Sequence, residues 1–197
     1  GGHVPFSFDI APYLKPGPNR ITVRVEDRQD PYQPRGKQSS SGTPVRIYYY
    51  CTSGIWQNVW LEPVPALRID YLRVTECRTD GTLALNVHLH GPSSDWEAEL
   101  DVLDELDSEQ VVAQARTRSH SACLELRAQL PDPRPWSPHD PHLYRLRVRL
   151  LHRGQLVDTV ESYAGLRSIE LKDGWFHLNG ERIFLLMALD QGYWPDT

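Results

Sequence analysis

Several small groups of residues in this chain could do chemistry, and each has a plainer reading beside it. Asp104, Glu105, Asp107 and Glu109 crowd carboxylates into one short stretch. Such a cluster could hold calcium or supply paired acids, but the glycine and ligand spacing of a calcium loop are absent, and a solvated strand-to-strand loop is favoured. His88 and His90 stand two apart, so on a strand their imidazoles share a face. With no third ligand evident in the sequence, two exposed imidazoles are favoured over a metal site. Cys51, Cys77 and Cys123 have neither the paired spacing of a zinc site nor the density of a disulfide scaffold. Reduced, half-buried thiols are favoured over a Cys77 to Cys123 bridge. Trp136 could offer its face to a sugar ring, although packing beneath the chain before Leu143 and Tyr144 is favoured. None of these groups calls for a metal or a cofactor.

Bulk properties narrow the partner classes. The 197 residues are 40% hydrophobic and 24% charged, with a formal charge of -5, as in an ordinary globular protein with material for a core. The arginines alternate with acids along candidate strands rather than clustering, so no electrostatic footprint for nucleic acid is present. No apolar run reaches membrane-spanning length. The first residues, Gly1-Gly2-His3-Val4-Pro5, lack the regions of a signal peptide, and a cytoplasmic location is favoured.

The elements that must position any site are strands. From Leu67 to Ala164 the pattern predicts strands at Leu67–Glu76, Thr82–His90, Trp96–Leu103, Gln110–Arg116, Ala122–Leu130, Leu143–His152 and Leu156–Ala164. Leu83, Leu85, Val87 and Leu89 alternate with Ala84, Asn86, His88 and His90, and Tyr144, Leu146, Val148 and Leu150 alternate with Arg145, Arg147 and Arg149. That period implies antiparallel sheets with one face on a shared core. Thr79-Asp80-Gly81 and Arg153-Gly154 are hairpin turns. The size and strand number are those of an immunoglobulin-like sandwich. Before it, Val4 to Glu62 predicts a few short strands, Ile21 to Val25 the clearest, and a long exposed loop over Asp30 to Pro44. After it, Ile169 to Phe184 predicts a hairpin around Asp173-Gly174 and Asn179-Gly180. Phe184 to Leu189 then predicts a strand buried on both faces.

Four stretches, in order, resemble glycoside hydrolase family 2. Pro5 to Ile10 with Gly17 to Val25 is similar to the late strands of that family's jelly-roll domain. Thr52-Ser53-Gly54-Ile55-Trp56 through Glu62 resembles the signature that closes it. Trp136-Ser137-Pro138 with Pro141-His142-Leu143-Tyr144 is similar to the motif of the immunoglobulin-like domain. Gly165-Leu166-Arg167 with Phe176-His177-Leu178-Asn179-Gly180 resembles the opening of the catalytic barrel.

The resemblance implies an all-β fold: part of a jelly roll (residues 1–64), an immunoglobulin-like β-sandwich (65–167), and the first strands of a truncated (β/α)8 barrel (168–197). It implies a retaining hydrolase of β-linked sugars as the parent, with two glutamates on later barrel strands. No catalytic residue is then expected within this chain, and the fragment is expected to be inactive and to self-associate, with carbohydrate as the parent's partner. Asp190 and Trp194, following the first barrel strand, are the residues expected to approach substrate, Asp190 on a hydroxyl and Trp194 at the pocket rim; structural plugs of the barrel mouth are the alternative. Two positions depart from the family pattern. Leu186-Met187 stands where many members carry Arg-Gly, and Tyr48 stands where some galactosidases and glucuronidases place an aspartate, so that role is not carried over. The competing function is a non-catalytic carbohydrate-binding or adhesive sandwich.

Overall fold

The computed structural model describes residues 4–190 apart from 29, 31, 35 and 93. Contacts divide the chain into two units, residues 62–187 and residues 1–61 with 188–197.

The larger unit is built on the alternation read above. Its strands are β1 (Arg68–Cys77), β2 (Thr82–His90), β3 (Trp96–Leu103), β4 (Val111–Ser119), β5 (Cys123–Gln129), β6 (Tyr144–His152) and β7 (Gln155–Ala164). They form two antiparallel sheets, β1-β2-β5 and β4-β3-β6-β7, so the chain changes sheet after β2, β4 and β5. Leu83, Leu85, Val87, Leu124 and Leu126 from one sheet pack against Ala98, Leu100, Val102, Leu146, Val148 and Leu150 from the other in one buried cluster. Each of the larger aliphatic side chains contributes roughly 1.5–3 kcal/mol by leaving water. At the rim the Ile69 amide donates to Asp158 Oδ2 at 2.8 Å, tying β1 to β7 across the two sheets.

Strand bounds agree with the sequence pattern to within one to three residues. β4 extends to Ser119, beyond the expected Arg116, because it stays in register with β3 up to the Trp96 pair. On the outer face of β3, Glu97 and Asp101 are buried. Arginines from the flanking strands lie over them: Arg116 and Arg118 pair with Glu97, and Arg149 with Asp101. Ala84 is fully buried on the outer face of β2. Its cross-strand neighbours are Glu76 and Arg127, whose ion pair closes over it.

A small antiparallel sheet follows: β8 (Ile169–Lys172), β9 (Trp175–Leu178) and β10 (Glu181–Ile183), in the order β10-β9-β8. Asp173 and Asn179 adopt positive φ at 51° and 53°, opening its two tight turns. Phe184 to Leu189 is not the buried strand expected. It pairs with no described residue, and Phe184, Leu186 and Met187 are largely exposed.

The described residues of the smaller unit hold one 3-10 turn, Ala11–Tyr13, and isolated bridges at Gln38 with Tyr49 and Val45 with Tyr48. Ile21 to Val25 forms no ladder with any described residue, and Ile21 and Val23 are 61% and 60% exposed. Alternation prepares a face, but a strand exists only where a second strand accepts its hydrogen bonds.

Candidate functional site

The most elaborately fixed region lies at one end of the sandwich, where residues 130–143 carry the chain from β5 to β6. Pro131, Pro133, Pro135, Pro138 and Pro141 remove five amide donors and restrain this crossing. The remaining polar groups find specific partners. The Arg134 amide donates to the Tyr144 hydroxyl at 2.8 Å, and its guanidinium grips Asp140 at 2.7 and 2.6 Å. That pairing holds the Asp140 carboxyl below its ordinary range, while burial pushes the Tyr144 phenol up. Ser137 and Asp140 exchange backbone hydrogen bonds at 2.8 and 3.1 Å.

Trp136 is the centre of a knot joining the sandwich to the β8–β10 sheet. Its amide donates to the Leu166 carbonyl at 2.8 Å, and its own carbonyl accepts from Asn179 Nδ2 at 3.0 Å. Asn179 Oδ1 accepts from the Ser168 amide at 3.0 Å, and the Asn179 amide returns a bond to the Ser168 carbonyl at 2.9 Å. The Arg167 guanidinium lies over the indole, 5.2 Å from its centre. Gly165 allows the approach, since a Cβ there would stand 3.2 Å from both Leu143 Cδ2 and Trp136 Cβ. The Cys77 thiol donates to the Gly165 carbonyl at 3.2 Å, and burial pushes its pKa up. The indole is half-buried beneath the Arg167 guanidinium.

Asp190 is exposed and belongs to the smaller unit; Trp194 lies outside the described residues. Cys51, Cys77 and Cys123 are free and half-buried. His88 stacks on Tyr71 at 4.1 Å between ring centres, with Cys123 Sγ 3.9 Å from its Nε2, while His90 is exposed. Among the described residues, no cluster of three His, Cys, Asp or Glu side chains is arranged to hold a metal ion, and no helix is long and apolar enough to cross a membrane.

Two shallow clefts open on the sandwich. One, of about 340 Å³, is lined by Glu99, Asp101, Gln114, Arg116 and Arg149; the other, of about 350 Å³, by Glu105, Asp107, Arg134, Asp140 and His142. Neither carries a Trp, Tyr or Phe face on which a sugar could stack. Hydrolysis of a glycoside by acid and nucleophile needs one carboxyl held protonated near neutrality. Every carboxyl with a resolved shift here moves the other way. Burial pushes Asp101 up, but hydrogen bonds from Arg149 and Gln114 bring it below its ordinary range. Arg147 and Arg145 lower Glu109, Arg145 and Arg147 lower Glu161, and hydrogen bonds from Thr82 lower Asp80. Hydrogen bonds and ion pairs thus favour the charged form of each of these carboxyls.

The sequence reading missed Asn179 as a tie between the sandwich and the β8–β10 sheet and His142 as a buried polar side chain. An asparagine preceding glycine reads as a turn whatever else it does, and nothing local announces that its amide reaches Trp136.

A family model described as glycosyl hydrolases family 2 matches residues 67–167. A curated relative from Formosa agariphila, named "Putative beta-glucuronidase", is 30% identical over 193 residues, covering 94% of this chain and 22% of its own length. A beta-galactosidase of Thermoanaerobacter pseudethanolicus is 26% identical over 193 residues, covering 94% of this chain and 25% of its own. This chain therefore spans a quarter or less of these relatives. A solved family 2 structure from Bacteroides cellulosilyticus superposes with a TM-score of 0.55 at 21% identity, over 68% of this chain and 19% of that one, a likeness of fold.

Proposed function

We propose that this chain, which belongs to glycosyl hydrolases family 2, is the non-catalytic scaffold segment of a retaining β-glycosidase. Residues 1–64 are the end of a jelly roll, 65–167 the sandwich, and 168–197 the opening of the catalytic barrel. The two carboxyl groups of the mechanism come from parts of the protein other than these residues. The observation that carries the reading is the Trp136 knot: it locks the backbone at Leu166 and Asn179 and so sets the direction in which the chain leaves the sandwich. A scaffold matters to catalysis because small displacements of reacting groups cost rate steeply. Asp190 hydrogen-bonds a sugar hydroxyl of the substrate, and Trp194 borders its pocket. The substrate is a β-linked sugar, and the relatives' names favour a galactoside or glucuronide.

Two assays test this. The purified 197-residue chain releases no product from aryl β-glucuronides or β-galactosides, whereas the whole protein hydrolyses one of them with retention of anomeric configuration; turnover that follows the chain through successive purification steps refutes the scaffold reading. In the whole protein, Asp190→Ala and Trp194→Ala raise KM, and unchanged kinetics in both remove them from the substrate site.

A further inference from the structure

The β8–β10 sheet has two unlike faces. Partners across an antiparallel ladder point the same way, and the register sets Ile169 opposite Leu178 and both Leu171 and Ile183 opposite Phe176. One face therefore carries these five apolar side chains, with Glu181 beside Leu178. The other carries Glu170, Lys172, Trp175, His177 and Arg182, and there the Arg182 guanidinium lies over the Trp175 ring. The polar face is thus suited to water, its one large apolar side chain being covered by a cation. The apolar face is not. Leu178 is buried, but Ile169, Leu171 and Phe176 are 58%, 71% and 44% exposed. A sheet of three short strands with such a face gains its stability by covering it.

The residues that follow say what the cover is. Ile183, on the apolar face, is joined directly to Phe184, so the body that receives the next residues also reaches this face, with no linker between them. Phe184 and Leu186 are 75% and 89% exposed, and Leu185 and Met187, which point the opposite way in an extended chain, are 42% and 80% exposed. A segment apolar on both sides needs a layer on each, as a strand inside a helix-covered parallel sheet has. A second copy laid against one side would cover only half of it. This chain spans 22% and 25% of the length of the two relatives, so most of such a protein lies outside it.

Resting on the reading of Phe184 to Leu189 as the first barrel strand, we propose that the apolar face of the β8–β10 sheet closes the amino-terminal end of the parent's barrel. A chain enters a strand at its amino-terminal end, and Ile183 immediately precedes this one, so the sheet lies at the end of the barrel opposite the substrate loops. There Ile169, Leu171 and Phe176 cover the side chains that fill the barrel interior. The bond from Asn179 Nδ2 to the Trp136 carbonyl holds the same sheet to the sandwich. The sheet is then the plate through which the sandwich bears on the barrel.

Hydroxyl-radical labelling of the 197-residue chain and of the whole protein, both dilute, tests this. Passing from 71% and 44% exposed to the few per cent of a core side chain lowers labelling of Leu171 and Phe176 about tenfold in the whole protein. Trp175, on the opposite face, keeps its labelling within about twofold. Leu171→Glu, at a position open to water in the isolated chain, leaves that chain's melting temperature unchanged and lowers that of the whole protein by about 6 °C or more. Lys172→Glu, on the polar face, changes neither. Equal labelling of Leu171 and Phe176 in the two proteins, or a Leu171→Glu whole protein that melts with the unmodified one, overturns the proposal. Protection that appears when the isolated chain is concentrated, and not in the dilute whole protein, assigns the face to a second copy and also overturns it. The hydrolase reading is judged separately, by turnover of aryl β-glycosides in the unmodified whole protein.

Discussion

Replacing Asn179 with alanine should release the β8–β10 sheet from the sandwich while leaving the sandwich core intact. The side chain makes two bonds, accepting from the Ser168 amide and donating to the Trp136 carbonyl, both at 3.0 Å. At about 1 kcal/mol net for each, their loss costs about 2 kcal/mol. Asn179 also sits at φ 53°, a region asparagine tolerates and alanine enters at a cost of about 1 kcal/mol. The sum, about 3 kcal/mol, corresponds to a rise of roughly 150-fold in local opening. Native-state hydrogen exchange reads this directly: amides of Ile169–Lys172 and Trp175–Leu178 should exchange faster by that order, while those of Trp96–Leu103 and Tyr144–His152 hold. Asn179→Gly separates the contributions, since glycine adopts the positive φ freely and should recover about 1 kcal/mol. Exchange in Asn179→Ala within twofold of the unmodified chain, or an equal increase in the sandwich core, refutes the tie.

Gly81→Ala should lower the melting temperature of the sandwich by about 8 °C, for a loss of about 2 kcal/mol. Its φ is +89° and a Cβ would stand 2.5 Å from the Leu130 carbonyl oxygen, whereas Gly154→Ala, at φ +78° with open space around it, should cost about half as much; equal shifts in thermal melts would discount the clash. Acid should weaken the sandwich through Asp101, whose carboxyl lies below its ordinary range in the folded state. Its contribution is therefore complete above the unfolded value of about 3.9 and is lost as the pH falls through the lower folded value. Urea titrations of Asp101→Asn should show a shallower decline between about pH 4 and pH 2, and an unchanged slope assigns the acid lability elsewhere. Phe8, Trp56, Trp60, Met187 and Leu189 are each more than 70% exposed, so the isolated chain should self-associate; light scattering that gives a constant 22.6 kDa across concentrations counts against this.

The sandwich was legible because its strands each present one face to a shared core, and a face of period two survives in the sequence as alternation. β2 and β3 end where the alternation predicts, at Thr82–His90 and Trp96–Leu103. The burial of Glu97, Asp101 and Ala84 was not legible, because it depends on arginines that register brings from other strands. Alternation at Ile21 to Val25 and the apolar run Phe184 to Leu189 were misleading for the opposite reason: both have strand composition, and neither has a pairing partner among the described residues. Of the expected substrate residues, Asp190 has a position on the surface of the smaller unit, and the reading of its role still rests on the resemblance.

The residues that carried the family resemblance within the larger unit stand at its rim, and the structure supplies a physical reason. A core position such as Leu126 or Val148 needs an apolar side chain of about the right volume, a demand that several residue types meet. The knot makes narrower demands. Gly165 must lack a Cβ because Trp136 and Leu143 occupy that space, and Asn179 must hold a positive φ while presenting both a donor and an acceptor. Trp136 stands beside Gly165 and beneath the Arg167 guanidinium while its carbonyl accepts from Asn179. Such positions admit few substitutes, whereas a core position tolerates exchange among leucine, valine and isoleucine. The same narrowness makes the knot the place where one substitution can redirect the chain leaving the sandwich without unfolding it.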